Sequence, residues 1–186
     1  TFDAPAEESG RIWRIEFDGV YMNAEVFVNG ESLGIRPYGY ISFGHDISHL
    51  LNWGGENVVA VRVDNAEQPN SRWYSGCGIY RNVHMVKTSP VRVAPDGTYV
   101  TAELSEDGTK ATVNADVKII NALAEEKELY VLNVLVDASG KEVKGTEALV
   151  TVPAEGEACD RQSFVISAPH LWDVDAPYMY TLHTGI

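Results

Sequence analysis

The chain has 186 residues, 45% of them hydrophobic and 22% charged, a balance suited to one large or two mid-sized folded domains rather than to a disordered segment. Its 27 acidic residues outnumber 14 scattered Lys and Arg, and the resulting charge of −13 argues against a nucleic acid partner. The longest apolar run, Leu129 to Val136, is broken by Asn133 and falls far short of the roughly 20 residues that cross a bilayer, so no membrane partner is expected.

The chain opens on Thr1-Phe2-Asp3-Ala4-Pro5, with neither a Met nor a charged leader, so any targeting signal is expected outside it. The compartment stays unknown, and a secreted or periplasmic location would follow from a signal peptide ahead of this segment. Trp13, Ile15 and Phe17 then alternate with Ile12, Arg14 and Glu16, as a half-buried strand requires. After a second strand at Ala24 to Val28, Asn29-Gly30 suits a type I′ hairpin turn, because both residues tolerate positive φ. Only Asp46 to Asn52 suggests a helical turn, with Asp46 or Ser48 as its N-cap. Val59, Val61 and Val63 resume the period of two beyond the turn residues Gly54-Gly55-Glu56-Asn57.

A strand around Tyr80 to Val86 leads into Thr88-Ser89-Pro90, where Pro90 cannot donate to a ladder, and a domain junction is placed there. Composition changes at the same point. Trp13, Trp53 and Trp73, three of the four tryptophans, precede it, and a segment rich in Val, Ala, Thr and Glu follows. Beyond it, Ala111, Val113, Ala115, Val117 and Ile119 form the clearest alternating strand. Turns are expected at Pro95-Asp96-Gly97, Glu106-Asp107-Gly108 and Ser139-Gly140. Many short strands and no long helical pattern give an all-β fold, two consecutive β-sandwiches, with Cys77 and Cys159 far apart and expected as free thiols.

The order and spacing of several segments carry a family resemblance. Phe17-Asp18-Gly19-Val20, Ala24-Glu25-Val26-Phe27-Val28-Asn29-Gly30, Pro37-Tyr38-Gly39-Tyr40 and Arg72-Trp73-Tyr74-Ser75-Gly76-Cys77-Gly78-Ile79-Tyr80-Arg81 resemble the N-terminal sugar-binding domain of glycoside hydrolase family 2. Asp46-Ile47, Gly55-Glu56-Asn57-Val58 and Ala60-Val61-Arg62-Val63-Asp64-Asn65 continue the likeness, and Pro169-His170-Leu171-Trp172 with Pro177-Tyr178-Met179-Tyr180-Thr181-Leu182 resembles the end of that family's immunoglobulin-like domain. The resemblance implies a jelly-roll, galactose-binding-like domain at residues 1–88, incomplete at its N-terminus, and an immunoglobulin-like β-sandwich at 89–186 that lacks its last strand. Unpaired strand edges are expected as a result.

The same resemblance implies a parent enzyme of β-galactosidase type that hydrolyses O-glycosidic bonds with retention, using two carboxyl groups on a TIM barrel and no cofactor. The family's acid/base stands in an Asn-Glu dipeptide, which this sequence does not contain, so the fragment is expected to be inactive alone and to have no catalytic residues. Its expected partners are that barrel, within the parent, and a β-galactoside or related glycan; galactoside is preferred over glucuronide or mannoside on Arg72-Trp73-Tyr74-Ser75-Gly76. The alternative is a stand-alone carbohydrate-binding or adhesive module, which the fold would also permit.

The substrate-proximal candidates are Asn70, Arg72, Trp73 and Tyr74, in a loop where an aromatic plane meets hydrogen-bond donors, as a sugar's C–H face and hydroxyl rim require. Trp73 and Tyr74 would equally suit packing between domains. Several family members have an acidic residue at the position of Arg72; a guanidinium cannot accept hydrogen bonds, so an ion-pair role is the alternative for it. His45 and His49 are spaced as metal ligands on one helix face would be, but no third ligand stands nearby and no metal site is expected. Asp173 and Asp175 are too few for a calcium loop and suit a turn in which Asp bonds its own backbone.

Overall fold

The computed structural model describes residues 1–67 and 71–186. The chain is all-β and divides into two compact units, Thr1–Ser89 and Pro90–Ile186. Among the described residues every pairing between strands is antiparallel, and no helix is long and apolar enough to cross a membrane.

The first unit contains β1 (Phe2–Ala4), β2 (Ile12–Phe17), β3 (Val20–Tyr21), β4 (Ala24–Val28), β5 (Glu31–Arg36), β6 (Phe43–Asp46), β7 (Gly55–Asn57), β8 (Val59–Arg62), β9 (Gly78–Ile79) and β10 (Val83–Thr88). They form two three-stranded sheets, β10-β2-β6 and β5-β4-β8, and two short pairs, β1-β7 and β3-β9. The alternation in β2 buries Trp13, Ile15 and Phe17, which join Val26 and Val28 of β4 and Ile47 in one core. Trp13 stacks on Phe2 at 5.9 Å, meets Trp53 edge-on, and is capped by the Lys87 ammonium 3.8 Å from its ring. Asn29 and Gly30 turn β4 into β5 with φ of 49° and 90°, the type I′ pattern.

The helical turn expected near Asp46 is a single 3-10 turn, Ser48–Leu50, whose N-cap position is Ile47 rather than Asp46 or Ser48. Asp46 instead accepts from the backbone N–H and hydroxyl of Ser48, and that hydroxyl in turn accepts from Trp13 N–H. The segment is thereby committed to bracing β2 rather than to extending a helix.

The second unit contains β11 (Val91–Leu104), β12 (Lys110–Asn121), β13 (Lys127–Val136), β14 (Glu142–Val152), β15 (Gly156–Ser167) and β16 (Thr181–Gly185), arranged in two sheets, β11-β12-β15 and β14-β13-β16. The turn expected at Pro95-Asp96-Gly97 is not one. β11 runs through these residues, and its register against β12 shifts between Val93 and Thr98, a bulge that absorbs the positive φ of Asp96. Gly97 fits this bulge because a Cβ there would lie 2.7 Å from the Ala94 carbonyl oxygen.

The core of this unit has two apolar clusters, one around Val113, Leu135 and Phe164 and one around Val117, Ile119 and Val131. Between them in strand order lie buried Asn133 and Gln162. Gln162 donates to the Val131 carbonyl oxygen at 3.0 Å and to Asp160 at 2.6 Å, and it accepts from Thr146. Each three-stranded sheet has two edges: β11 and β15 both pair with β12, and β14 and β16 both pair with β13.

Candidate functional site

Tyr21 ends β3, and the loop between β5 and β6 brings Tyr38, Gly39 and Tyr40 against it. Gly39 permits this approach: a Cβ there would stand 2.3 Å from the Tyr21 ring. Tyr80 holds the loop in place by donating from its hydroxyl to the Gly39 carbonyl oxygen at 2.7 Å, with its own ring seated over Gly19. Tyr40 lies 5.1 Å from Tyr21 and 5.8 Å from Tyr38, ring centre to ring centre.

Residues 71–73 complete a hollow of about 490 Å³, lined by Tyr21, Met22, Tyr38, Tyr40, Arg72 and Trp73 together with Gly39 and Ser71. Ser71 fixes this segment by donating to the Trp73 carbonyl oxygen at 2.7 Å and by sharing a hydrogen bond with the Ser75 hydroxyl. The Trp73 indole N–H, aided by Ser75 and Tyr21, holds the Tyr40 phenol below its usual pKa, and partial burial opposes them. Trp73 itself remains 69% exposed, so most of its surface is open to solvent. Its lining combines aromatic rings with hydroxyls and the Arg72 guanidinium. An aromatic plane beside hydrogen-bonding groups is the chemistry that the apolar face and hydroxyl edge of a pyranose would require.

The structure therefore brings Arg72 and Trp73 together. Tyr74, 92% exposed, does not line the hollow, and Asn70 lies outside the described residues. Tyr21, Tyr38 and Tyr40 were absent from the candidates drawn from sequence. The signal was the pair of tyrosines around Gly39, but only the fold shows that they face Trp73. His45 stands in β6 and His49 in the 3-10 turn, so they share no helix face. Among the described residues no group of three or more acidic, His or Cys side chains is placed to hold a metal. His45 packs edge-on against Phe43, and burial, with Arg14 and Arg36 near it, lowers its pKa. Asp173 accepts from the backbone N–H of Asp175 at 2.9 Å, as a turn-forming aspartate does. Cys77 and Cys159 are free and exposed.

Comparison with known proteins gives this architecture a lineage. The model of the family described as Glycosyl hydrolases family 2 matches residues 91–186. Beta-galactosidase BoGH2A of Bacteroides ovatus is 51% identical over 186 residues, covering 100% of this chain and 22% of that protein. A beta-glucuronidase of Formosa agariphila is 31% identical over 206 residues, covering 100% of this chain and 21% of that one. Among solved structures, a glycosyl hydrolase family 2 member from Bacteroides cellulosilyticus superposes with a TM-score of 0.93 at 33% identity, over 98% of this chain and 25% of that one. The chain thus spans about a fifth to a quarter of the length of these relatives.

Proposed function

This chain belongs to glycosyl hydrolases family 2, and we propose that it is the non-catalytic, sugar-facing portion of a β-galactosidase-like enzyme that hydrolyses O-glycosidic bonds. The observation that carries this reading is the aromatic hollow of Tyr21, Tyr38, Tyr40 and Trp73, with Arg72 in its lining. In the parent it would form one wall of the substrate pocket, stacking on a sugar ring while Arg72 donates to hydroxyls. The first unit is the jelly-roll, galactose-binding-like domain of this reading and the second its immunoglobulin-like support for the catalytic barrel. The likeness to Beta-galactosidase BoGH2A favours a β-galactoside as substrate.

The test is turnover by the complete protein on nitrophenyl β-galactoside, β-glucuronide and β-mannoside, with and without Trp73→Ala. Activity on the galactoside, reduced severalfold in kcat/KM by the substitution, is the expected result; an aromatic stacking contact is worth about 0.5–1.5 kcal/mol beyond the area it buries, and about 1.4 kcal/mol is tenfold in rate. Absence of all three activities overturns the parent assignment. Hydrolysis by the 186-residue chain alone overturns the non-catalytic assignment.

A further inference from the structure

The outer face of the β11-β12-β15 sheet carries a second hollow, of about 310 Å³, lined by Tyr99, Thr101, Asn114, Asp116 and Arg161. Strand register makes this a laid-out surface. Tyr99 pairs with Asp116 and Asp116 with Arg161, so the three stand in one row across the sheet; Thr101, Asn114 and Ser163 form the adjacent row. The intervening residues Val113, Ala115 and Val117 of β12, and Gln162 and Phe164 of β15, point inward and are buried, which fixes the outward direction of both rows.

The chemistry of the rows is specific. Arg161 donates from Nε and Nη2 to the two carboxylate oxygens of Asp116 at 2.6 and 2.7 Å, an arrangement that pins a planar guanidinium along the sheet. This spends two of its five N–H donors and leaves three, while each oxygen of Asp116 keeps a lone pair. Asn114 donates to the Thr101 hydroxyl, leaving its own carbonyl oxygen to accept. Beside these groups Tyr99 is 67% exposed, on edge strand β11, with its ring available as a platform.

We propose that this face is a second carbohydrate-binding site, for a single neutral pyranoside ring stacked on Tyr99 with its hydroxyls bonded by Arg161, Asp116 and Asn114. Fixed paired donors and acceptors beside an aromatic plane match vicinal hydroxyls, which both donate and accept. The Asp116–Arg161 pair is neutral overall and sits on a chain of charge −13, which disfavours anionic ligands; a cation would find the carboxylate already engaged. The volume lies at the small end for ligand sites, which limits the occupant to about one ring. The site lies wholly within the second unit, and it stands or falls independently of the role assigned to the Trp73 hollow.

The test is amide-resolved NMR titration of the 186-residue chain with methyl β-galactoside, methyl β-glucoside and, as acyclic control, mannitol. The expected result is millimolar binding of at least one pyranoside that shifts the amides of Tyr99, Thr101, Asn114, Asp116 and Arg161. Tyr99→Ala should weaken it at least tenfold, Tyr99→Trp should retain it, and Trp73→Ala should leave these shifts unchanged. Tyr99 is exposed, so Tyr99→Ala is expected to fold, and its unperturbed spectrum serves as the control. No shifts on these strands, equal shifts with mannitol, or shifts that survive Tyr99→Ala would each overturn the proposal.

Discussion

Asn29 donates from its side-chain amide to the side-chain oxygen of Asn57 at 2.7 Å, tying the β4–β5 turn to strand β7 inside the first unit. Asn57 is fully buried, and its amide is satisfied at both ends. The oxygen also accepts from Asn52 N–H, and the nitrogen donates to the carbonyl oxygens of Asn52 and Gly55. Asn29 adds a donation to the Leu50 carbonyl oxygen and accepts from Val58 N–H.

Asn57→Ala strands several of these partners, each costing about 1–3 kcal/mol when left unpaired. Urea unfolding should show a loss of at least about 2 kcal/mol. Asn29→Gly keeps the positive φ of the turn while deleting the Asn29 side-chain bonds to Asn57, Leu50 and Val58, so it should also destabilise the chain, isolating the amide from the turn geometry. Wild-type stability in both variants would refute the network's role.

Gly39→Ala tests the aromatic hollow from beneath. Its new Cβ would meet the Tyr21 ring at 2.3 Å, so the ring or the loop must move. The expected cost is about 1–3 kcal/mol, the usual range for overpacking. Tyr40 reports on the same packing, since Trp73, Ser75 and Tyr21 all lower its pKa. Trp73→Phe removes the largest of these contributions and should move the Tyr40 midpoint upward in an absorbance titration; an unmoved midpoint would separate Trp73 from Tyr40.

Much of this fold was legible because period-two burial and turn residues act locally. β2 and β12 follow the alternation residue by residue, and Asn29-Gly30 forms the turn its backbone preferences dictate. Misreading arose where a local signal served a non-local structure. Pro95-Asp96-Gly97 has turn chemistry, but β12 pairs on both sides of it and converts the turn into a bulge. The hollow was half legible for the same reason. Arg72 and Trp73 lie in one segment, whereas Tyr21, Tyr38 and Tyr40 reach it through β3-β9 pairing and the Gly39 contact, which no local pattern encodes.

Asp107, in the β11–β12 turn, provides a pH signature. The Ser105 hydroxyl and then the backbone and side chain of Thr109 bond its carboxylate and lower its pKa to about 2. A folded pKa below the unfolded value of about 3.9 means that the charged form is preferred in the folded state. Its stabilisation is therefore present above about pH 4 and is lost as pH falls through about 2. Asp107→Asn should flatten that part of the acid-unfolding profile relative to wild type, and NMR titration of the wild-type carboxyl should give a midpoint near 2. A midpoint near 3.9 would show that the turn does not hold the carboxylate.

In the second unit Asn133 faces Thr184 directly across the β13–β16 ladder, and the Thr184 hydroxyl donates to its side-chain oxygen at 2.7 Å. Asn133 is fully buried, and its Nδ2 has no partner among the described residues. Thr184→Val removes this bond to the Asn133 side-chain oxygen and should cost about 1–3 kcal/mol. Replacing both, Asn133→Val with Thr184→Val, removes the unpaired amide as well as its partner and substitutes β-branched residues suited to strands. The double variant should then be at least as stable as wild type, because a buried polar group without full satisfaction is worse than an apolar one of similar shape. Unfolding of the two single variants and the double variant measures the coupling. A double variant as unstable as the sum of the singles would mean that Asn133 contributes to this sheet through something other than its bond to Thr184.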